Sequence, residues 1–210
     1  MTEALKSKRL EPACVEWVNW GERDMSLQIN NLREANSEVM LLVCNPLEGV
    51  SCVNTMANSP ADERLPIVSH WGISAGNFFE LAKPHLDKVD LTFLQTYSFI
   101  TPRYPERAAP LISRYCRRFD CESPREIFSP VGTAHAYELV MMLAATIRSC
   151  QSLDVAVVRE ALENHSSYSG IIRDYDRPFT PGMHDALDRS DFILARYDSD
   201  GAIVPAQLSE

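Results

Sequence analysis

The chain has 210 residues, of which 45% are hydrophobic and 23% are charged, and its formal net charge at neutral pH is −9. This composition is typical of folded globular proteins and argues against extensive disorder. The acidic balance disfavours binding to a phosphate backbone or to an anionic lipid surface. No apolar run approaches the roughly 20 residues that a membrane-spanning helix needs. We therefore expect a folded protein that neither binds nucleic acid nor inserts into a membrane.

The N-terminus and the cysteines give further expectations. Residues 1–9 are polar and charged, without the apolar core and cleavage site of a secretory signal peptide. The six cysteines form no C-x-x-C pair, and the five histidines have no metal-ligand spacing, so we expect neither a metal site nor a cofactor. Several of the cysteines are expected to be buried free thiols. Cys116 and Cys121 flank the end of a predicted helix, and they could form a disulfide if the protein is exported.

Strands and helices alternate through the first 119 residues. A short helix is predicted at 3–9, and four strands and four helices follow in turn: strands over 13–20, 38–44, 65–69 and 89–99, and helices over 24–36, 47–58, 77–82 and 105–119. The almost uninterrupted apolar run at 38–44 is typical of a parallel strand covered on both faces. This alternation predicts an α/β fold with a doubly wound, mostly parallel sheet.

The second half of the chain is mainly helical. Residues 120–130 are polar and are interpreted as a crossing between lobes. A helix over 133–150 carries an apolar stripe, and a second helix capped by Ser152 or Asp154 extends to 164. Residues 168–186 are expected to be irregular. Residues 192–205 are expected to form an antiparallel hairpin around an Asp-Ser-Asp-Gly turn. The stripe consists of Ala136, Leu139, Val140, Leu143, Ala144 and Ile147.

Candidate ligand-binding residues follow the predicted strands, because ligands of open α/β sheets bind beyond the carboxyl ends of the strands. The segment Ser69-His70-Trp71-Gly72 combines a polar ring, a large flat ring and a glycine that lets the backbone approach a ligand. In the alternative, Trp71 covers the sheet edge and His70 bonds to a loop. Asn45, after the preceding strand, could bind a ligand or simply cap a turn.

Enzymatic motifs are weak in this sequence. It contains no nucleophile elbow, no dinucleotide-binding or phosphate-binding glycine loop and no zinc-protease motif. Cys44 and His70, at neighbouring strand ends, could form a Cys/His pair. A thiol at the end of so apolar a run is more often a core residue. We therefore expect a protein that is not an enzyme, and we keep an α/β enzyme with a Cys/His site as an alternative.

The ordered series of segments from Glu16 to Ser74 resembles the type I periplasmic binding proteins. Within that family it resembles the substrate-binding components of branched-chain amino acid ABC transporters. The matching segments are 17–20, the helix start Asp24-Met25-Ser26, the apolar run 38–44 and the strand end 65–71. Residues 131–140 resemble a later helix of the family, and residues 192–204 resemble its C-terminal hairpin. The resemblance covers nearly the whole chain.

The resemblance implies a non-enzymatic binding protein with two lobes that close on a small solute. Residues 1–128 would be an α/β ligand-binding lobe, residues 129–170 helices returning to a mostly absent first lobe, and residues 171–210 a hinge crossing with the C-terminal hairpin. The ligand, an amino acid or a similar small polar molecule, would pass to an ABC permease from the periplasm. The implied cleft residues are Asn45, Ser69, His70, Trp71, Gly72, Gly132 and His135.

Complete members of the family are longer and begin with a signal peptide. The resemblance therefore implies a partial second lobe, with the stripe of the helix at 133–150 exposed unless a partner covers it. A ligand-sensing domain of a regulator or receptor is an alternative, because fold does not fix function.

Overall fold

The computed structural model describes residues 2–206, which form two compact units, one ending at Leu94 and the other starting at Gln95. The N-terminal unit contains helices α1 (Thr2–Ser7), α2 (Ser26–Glu34), α3 (Pro46–Ala57) and α4 (Phe78–Leu86), and strands β1 (Met40–Leu42), β2 (Ile67–Ser69) and β3 (Leu91–Gln95), the last residue of which is the first of the C-terminal unit. The C-terminal unit contains helices α5 (Pro105–Phe119), α6 (Pro130–Cys150) and α7 (Val155–Glu163), and strands β4 (Ser167–Ser169), β5 (Asp174–Asp176), β6 (Ile193–Tyr197) and β7 (Ile203–Pro205).

Strands β1, β2 and β3 lie side by side in that order and are all parallel. Met40 pairs with Ile67, and Ile67 pairs in turn with Leu91. The helices between the strands provide the crossovers that parallel pairing requires. Ile67 and Phe93 are buried, but Leu41 and Val43 are 47% and 60% exposed. The expectation that the run 38–44 is covered on both faces is therefore wrong, because one face of β1 lacks a covering helix among the described residues. The predicted α/β fold class with a mostly parallel sheet is confirmed.

Helix α3 follows directly from the end of β1. Asn45 is its N-cap residue, in an extended conformation, and Pro46 occupies the first turn, where its missing N–H costs nothing. Gly49 lets the helix lie close to the segment after β2, because a Cβ at this position would be 2.5 Å from Cγ1 of Ile73. The start of α3 is thereby held beside the end of β2.

The prediction of a strand over residues 13–20 is wrong, since this segment is irregular. The alternation of polar and apolar residues gives this segment two distinct faces. A β-strand also requires a neighbouring strand whose N–H and C=O groups form hydrogen bonds with its own backbone. Side chains hold the segment instead: Asn31 Nδ2 donates to Glu16 Oε1 at 3.0 Å, and the N–H of Gly21 donates to Glu48 Oε1 at 2.7 Å. Trp17 and Trp20 are more than four-fifths exposed.

Two antiparallel hairpins belong to the C-terminal unit. The predicted hairpin near the C-terminus is confirmed by the pairing of β6 with β7, in which Arg196 lies opposite Val204. The prediction that 168–186 is irregular is partly wrong, because β4 and β5 pair there with Tyr168 opposite Tyr175. The cause is a contact distant in sequence: Glu138 of α6 accepts hydrogen bonds from backbone and hydroxyl groups of this hairpin.

Helix α6 carries the buried core of the C-terminal unit on one face. Ala134 lies in a cluster with six other buried apolar side chains: Tyr97, Phe99, Leu111, Ile127, Ile171 and Ile172. Among residues 2–206, no single helix is long and apolar enough to cross a membrane. Helices α6 and α7 pass that test of length and composition only when taken together, across a bend of 107°.

Candidate functional site

The carboxyl ends of β1 and β2 are joined by hydrogen bonds just beyond the paired strands. Ser69 Oγ and the N–H of His70 both donate to the carbonyl oxygen of Leu42, each at 3.1 Å. Ser69 is fully buried. The Ser69 hydroxyl therefore helps to fix the backbone at the point where the chain leaves β2.

His70 is held as a neutral imidazole. The N–H of Gly72 donates to its Nδ1 atom at 3.1 Å, so Nδ1 acts as an acceptor and the ring proton lies on Nε2. Partial burial lowers the pKa of His70, which reinforces the neutral state. The ring therefore presents an N–H donor on its Nε2 side.

Trp71 lies directly beside this imidazole. The two ring centroids are 3.9 Å apart and the ring planes are tilted by 36°. Trp71 is 39% exposed, so part of the indole surface is open to a ligand. The carbonyl of Trp71 accepts a hydrogen bond from Ser74 Oγ at 2.8 Å, which fixes the backbone of this turn.

Gly72 and Asn45 complete this group in the N-terminal unit. A Cβ at Gly72 would be 3.1 Å from the carbonyl oxygen of Cys44, so the ends of β1 and β2 approach closely here. Asn45 is exposed and its side chain makes no capping hydrogen bond to α3. The positive end of the α3 dipole lies at this point and favours a negatively charged group. We call the group formed by Asn45, His70, Trp71 and Gly72 the strand-end site.

Gly132 and His135 lie in the first turns of α6, in the C-terminal unit. His135 Nε2 is 2.7 Å from Thr96 Oγ1, directly after β3. Burial lowers the pKa of His135, so this ring is also neutral at physiological pH. Gly132 is exposed, and a Cβ there would be 2.8 Å from Ser129 Oγ.

Cys44 and Glu48 are titratable residues that lie near Asn45 of the strand-end site in the chain. Burial raises the pKa of Cys44 to about 12, and the charge of Glu48 adds to the rise. The thiol is therefore protonated at neutral pH, which disfavours the thiolate that a Cys/His enzyme would need. The sequence reading missed Glu48, a buried carboxylate that holds the segment preceding α2. The sequence could have indicated a structural role for Glu48. It lies in the first turn of a helix that begins at Asn45-Pro46, where the helix dipole favours an acidic side chain.

A cavity of about 370 Å³ in the N-terminal unit is lined by α2 and the residues just before it, by the second half of α3 and the residues just after it, and by none of the candidate ligand residues. Within residues 2–206, no group of three or more His, Cys, Asp or Glu side chains is placed to hold a metal ion.

Comparisons in sequence find no relative: no protein-family model matches the chain, and neither does any curated protein. Solved structures do match. A type 1 periplasmic binding protein from Bordetella pertussis Tohama I superposes with a TM-score of 0.81 at 18% identity, covering 98% of this chain and 56% of that one. The chain has the fold of the type I periplasmic binding proteins.

Two further solved structures share this fold with the chain at low sequence identity. The leucine-binding protein LivK from Thermotoga maritima matches with a TM-score of 0.73 at 14% identity, covering 91% of this chain and 50% of that one. A fatty acid ABC transporter substrate-binding protein from Thermomonospora curvata matches with a TM-score of 0.70 at 15% identity, covering 96% and 51%. The predicted resemblance is confirmed at the level of fold, and the chain spans about half the length of these proteins.

Proposed function

We propose that the chain is the ligand-binding portion of a solute-binding protein from an ABC-type uptake system, and that it binds an amino acid or a similarly small polar solute. The observation that carries the proposal is the strand-end site. Asn45, His70 and Trp71 follow the neighbouring strands β1 and β2, at the sheet edge where parallel α/β sheets bind ligands. The same fold occurs in proteins named for leucine and fatty acid binding.

The groups at the strand-end site suit a small polar ligand that has an apolar part. The Nε2–H of His70 is a donor for a carboxylate or carbonyl oxygen, and the α3 N-terminus favours the same negative charge. The Asn45 amide can donate and accept, which would fix the orientation of the ligand. The exposed indole of Trp71 would cover the apolar part. Binding at this site requires no bond to be made or broken.

The proposal includes delivery of the solute to a membrane permease, and a location outside the cytoplasm. Cys116 and Cys121 form a disulfide with a Cα–Cα distance of 4.4 Å. Because disulfides persist mainly in oxidising compartments, this pair supports a periplasmic or extracellular location.

Isothermal titration calorimetry with the twenty common L-amino acids tests the proposal. At least one is expected to bind the wild type. Trp71→Ala and Asn45→Ala are each expected to weaken that binding about tenfold, which corresponds to roughly 1.4 kcal/mol of lost contact. Trp17→Ala is the matched control, because Trp17 is highly exposed and lies outside the strand-end site. Absence of binding by all twenty, or unchanged affinity in both site variants, would contradict the proposal.

A further inference from the structure

The cavity between helices α2 and α3 has the size of a small-molecule site. Its volume is about 370 Å³, within the range of about 300–1,000 Å³ that ligand pockets usually have. All of the residues that line it belong to the N-terminal unit. Ile29 is the one hydrocarbon side chain in this lining, and the others carry amide, hydroxyl, guanidinium or carboxylate groups. This cavity, called here the α2–α3 cavity, therefore suits a ligand held by hydrogen bonds.

One part of the cavity lining is held in place by hydrogen bonds within the protein. Arg33 Nε donates to the carbonyl oxygen of Glu63 at 2.9 Å, and Arg33 Nη1 donates to Asn30 Oδ1 at 3.3 Å. Asp24 Oδ1 accepts a hydrogen bond from the N–H of Ser26 at 2.9 Å, at the start of α2. Because the Asn30 oxygen is already used, the Nδ2 group of Asn30 is left to donate to a ligand.

Another part of the cavity lining has no partner in the described part of the chain. Within residues 2–206, the side chains of Arg23, Thr55 and Asn58 make no hydrogen bond and no ion pair. The Asn54 amide makes none either, and its Oδ1 atom is buried. Buried polar atoms are normally paired, so an amide left unpaired in a cavity wall is unusual. Since no hydrogen bond holds the Asn54 amide, it is free to reorient toward a bound molecule.

We propose that the α2–α3 cavity binds a neutral polyhydroxylated molecule of the size of a monosaccharide. Amide and hydroxyl side chains both donate and accept hydrogen bonds, and the hydroxyl groups of such a ligand do the same. The unpaired guanidinium of Arg23 offers parallel N–H donors to two neighbouring oxygen atoms. This inference does not depend on the proposed function, because no residue of the strand-end site lines the cavity.

The charges around the cavity favour a neutral ligand over an anion. Glu63 balances the charge of Arg33, since Glu63 Oε2 lies 3.4 Å from Arg33 Nη1. Asp24 follows Arg23 directly in the chain, and hydrogen bonds from Ser26 lower the pKa of Asp24. Asp24 is therefore a carboxylate at neutral pH, and it would repel a phosphate or sulfate group that approached Arg23. A hydroxyl group, by contrast, can donate to Asp24 and accept from Arg23.

Nuclear magnetic resonance of the ¹⁵N-labelled chain tests the inference, with D-glucose, D-ribose and myo-inositol as probes. The side-chain amide resonances of Asn54 and Asn58 are expected to shift saturably with at least one of them. The expected Kd is on the order of 1 mM, as for a ligand of this size held by a few hydrogen bonds. The indole N–H of Trp71 is expected not to shift. Inorganic phosphate, sulfate and glycine are the charged probes, and none is expected to bind saturably.

Two substitutions make the result specific to the α2–α3 cavity. Asn58→Leu and Arg23→Gln are each expected to weaken binding of the responding probe about tenfold. Asn58 is the C-cap residue of α3, and Asn164→Leu is the matched control because Asn164 is the exposed C-cap residue of α7. The control is expected to leave the affinity unchanged, and circular dichroism establishes that each variant is folded.

Four results would each overturn the inference about the α2–α3 cavity. They are no saturable shift with any of the three polyhydroxylated probes, saturable binding of a charged probe at Asn54 and Asn58, shifts that occur at Trp71 instead, and unchanged affinity in both Asn58→Leu and Arg23→Gln. Binding of amino acids at the strand-end site is measured separately, so either proposal can fail without the other.

Discussion

Helices α3 and α6 are both rich in apolar residues, yet they bury very different side chains. In α3, Cys52, Val53 and Met56 are completely buried. In α6, Glu138 and Thr146 are buried while Val140 and other large apolar side chains are exposed. The apolar content of a helix therefore does not decide which face is covered; the position of its packing partners does. The partners of α3, such as Ile73 and Phe78, belong to the segment that follows β2 in the same unit.

The largest expected effect tests the buried polar side of α6. Glu138 accepts hydrogen bonds from the N–H groups of Ile171 and Ile172 and from the hydroxyl of Tyr175. Glu138→Ala leaves these buried donors without an acceptor and is expected to lower the free energy of unfolding by about 3–5 kcal/mol. Urea unfolding measures the change. Glu138→Gln, which keeps one acceptor oxygen, should cost less; a loss below about 1 kcal/mol for the alanine variant would contradict this account.

A matched pair of truncations tests the two helices directly. Met56→Ala in α3 removes a completely buried side chain and is expected to lower the free energy of unfolding by about 2–5 kcal/mol. Leu143→Ala in α6, where the side chain is 41% exposed, is expected to change it by no more than about 0.5 kcal/mol. Urea unfolding of the isolated chain provides both values. Equal losses would mean that Leu143 is covered in the isolated chain, against its exposure in the structure.

The disulfide is expected to have an intermediate effect. Cys116 and Cys121 close a short loop after α5, and Cys116→Ser with Cys121→Ser is expected to lower stability by about 2 kcal/mol, the loop-entropy value for a loop of this length. Cys150→Ser serves as the control, because Cys150 is a free thiol. Thermal unfolding under non-reducing conditions checks the comparison. An equal loss of stability in the Cys116/Cys121 double variant and in Cys150→Ser would contradict this expectation.

The smallest effect concerns the pH dependence of stability. Burial raises the pKa of Glu138 above its usual value of 4.5, although its hydrogen bonds oppose the rise. The folded protein therefore holds this proton more tightly than the unfolded chain does. The contribution of this proton is fully present below pH 4.5 and is lost as the pH rises through the higher, folded-state pKa. Wild type is expected to lose stability across this interval relative to Glu138→Gln; parallel pH profiles would contradict the assignment.

The sequence predicted elements well where local signals determine them. Helix α5 has the predicted bounds, with Pro105 in its first turn. The strand predicted at 13–20 failed because alternation alone does not supply a pairing partner. The β4–β5 hairpin was missed because it depends on Glu138, more than thirty residues away. Elements stabilised by distant contacts leave little trace in a local pattern.

The candidate site was predictable in its location but not in its details. Ligands of open α/β sheets bind beyond the carboxyl ends of the strands. Locating the site therefore requires only the order of strands and helices, which the sequence pattern predicted. The burial of Ser69 and the acceptor role of His70 Nδ1 depend on how two strand ends meet. Neither property can be read from the residue types at 69 and 70.

Nuclear magnetic resonance of the ¹⁵N-labelled chain most directly tests the claim that the strand-end site binds a small polar solute. Resonances of the Trp71 indole N–H and the Gly72 backbone N–H are followed while each L-amino acid is added. The account predicts saturable shifts at Trp71 and Gly72 for at least one amino acid, with the exposed indoles of Trp17 and Trp20 unchanged. Shifts confined to Trp17 and Trp20, or no saturable shift with any amino acid, would contradict it.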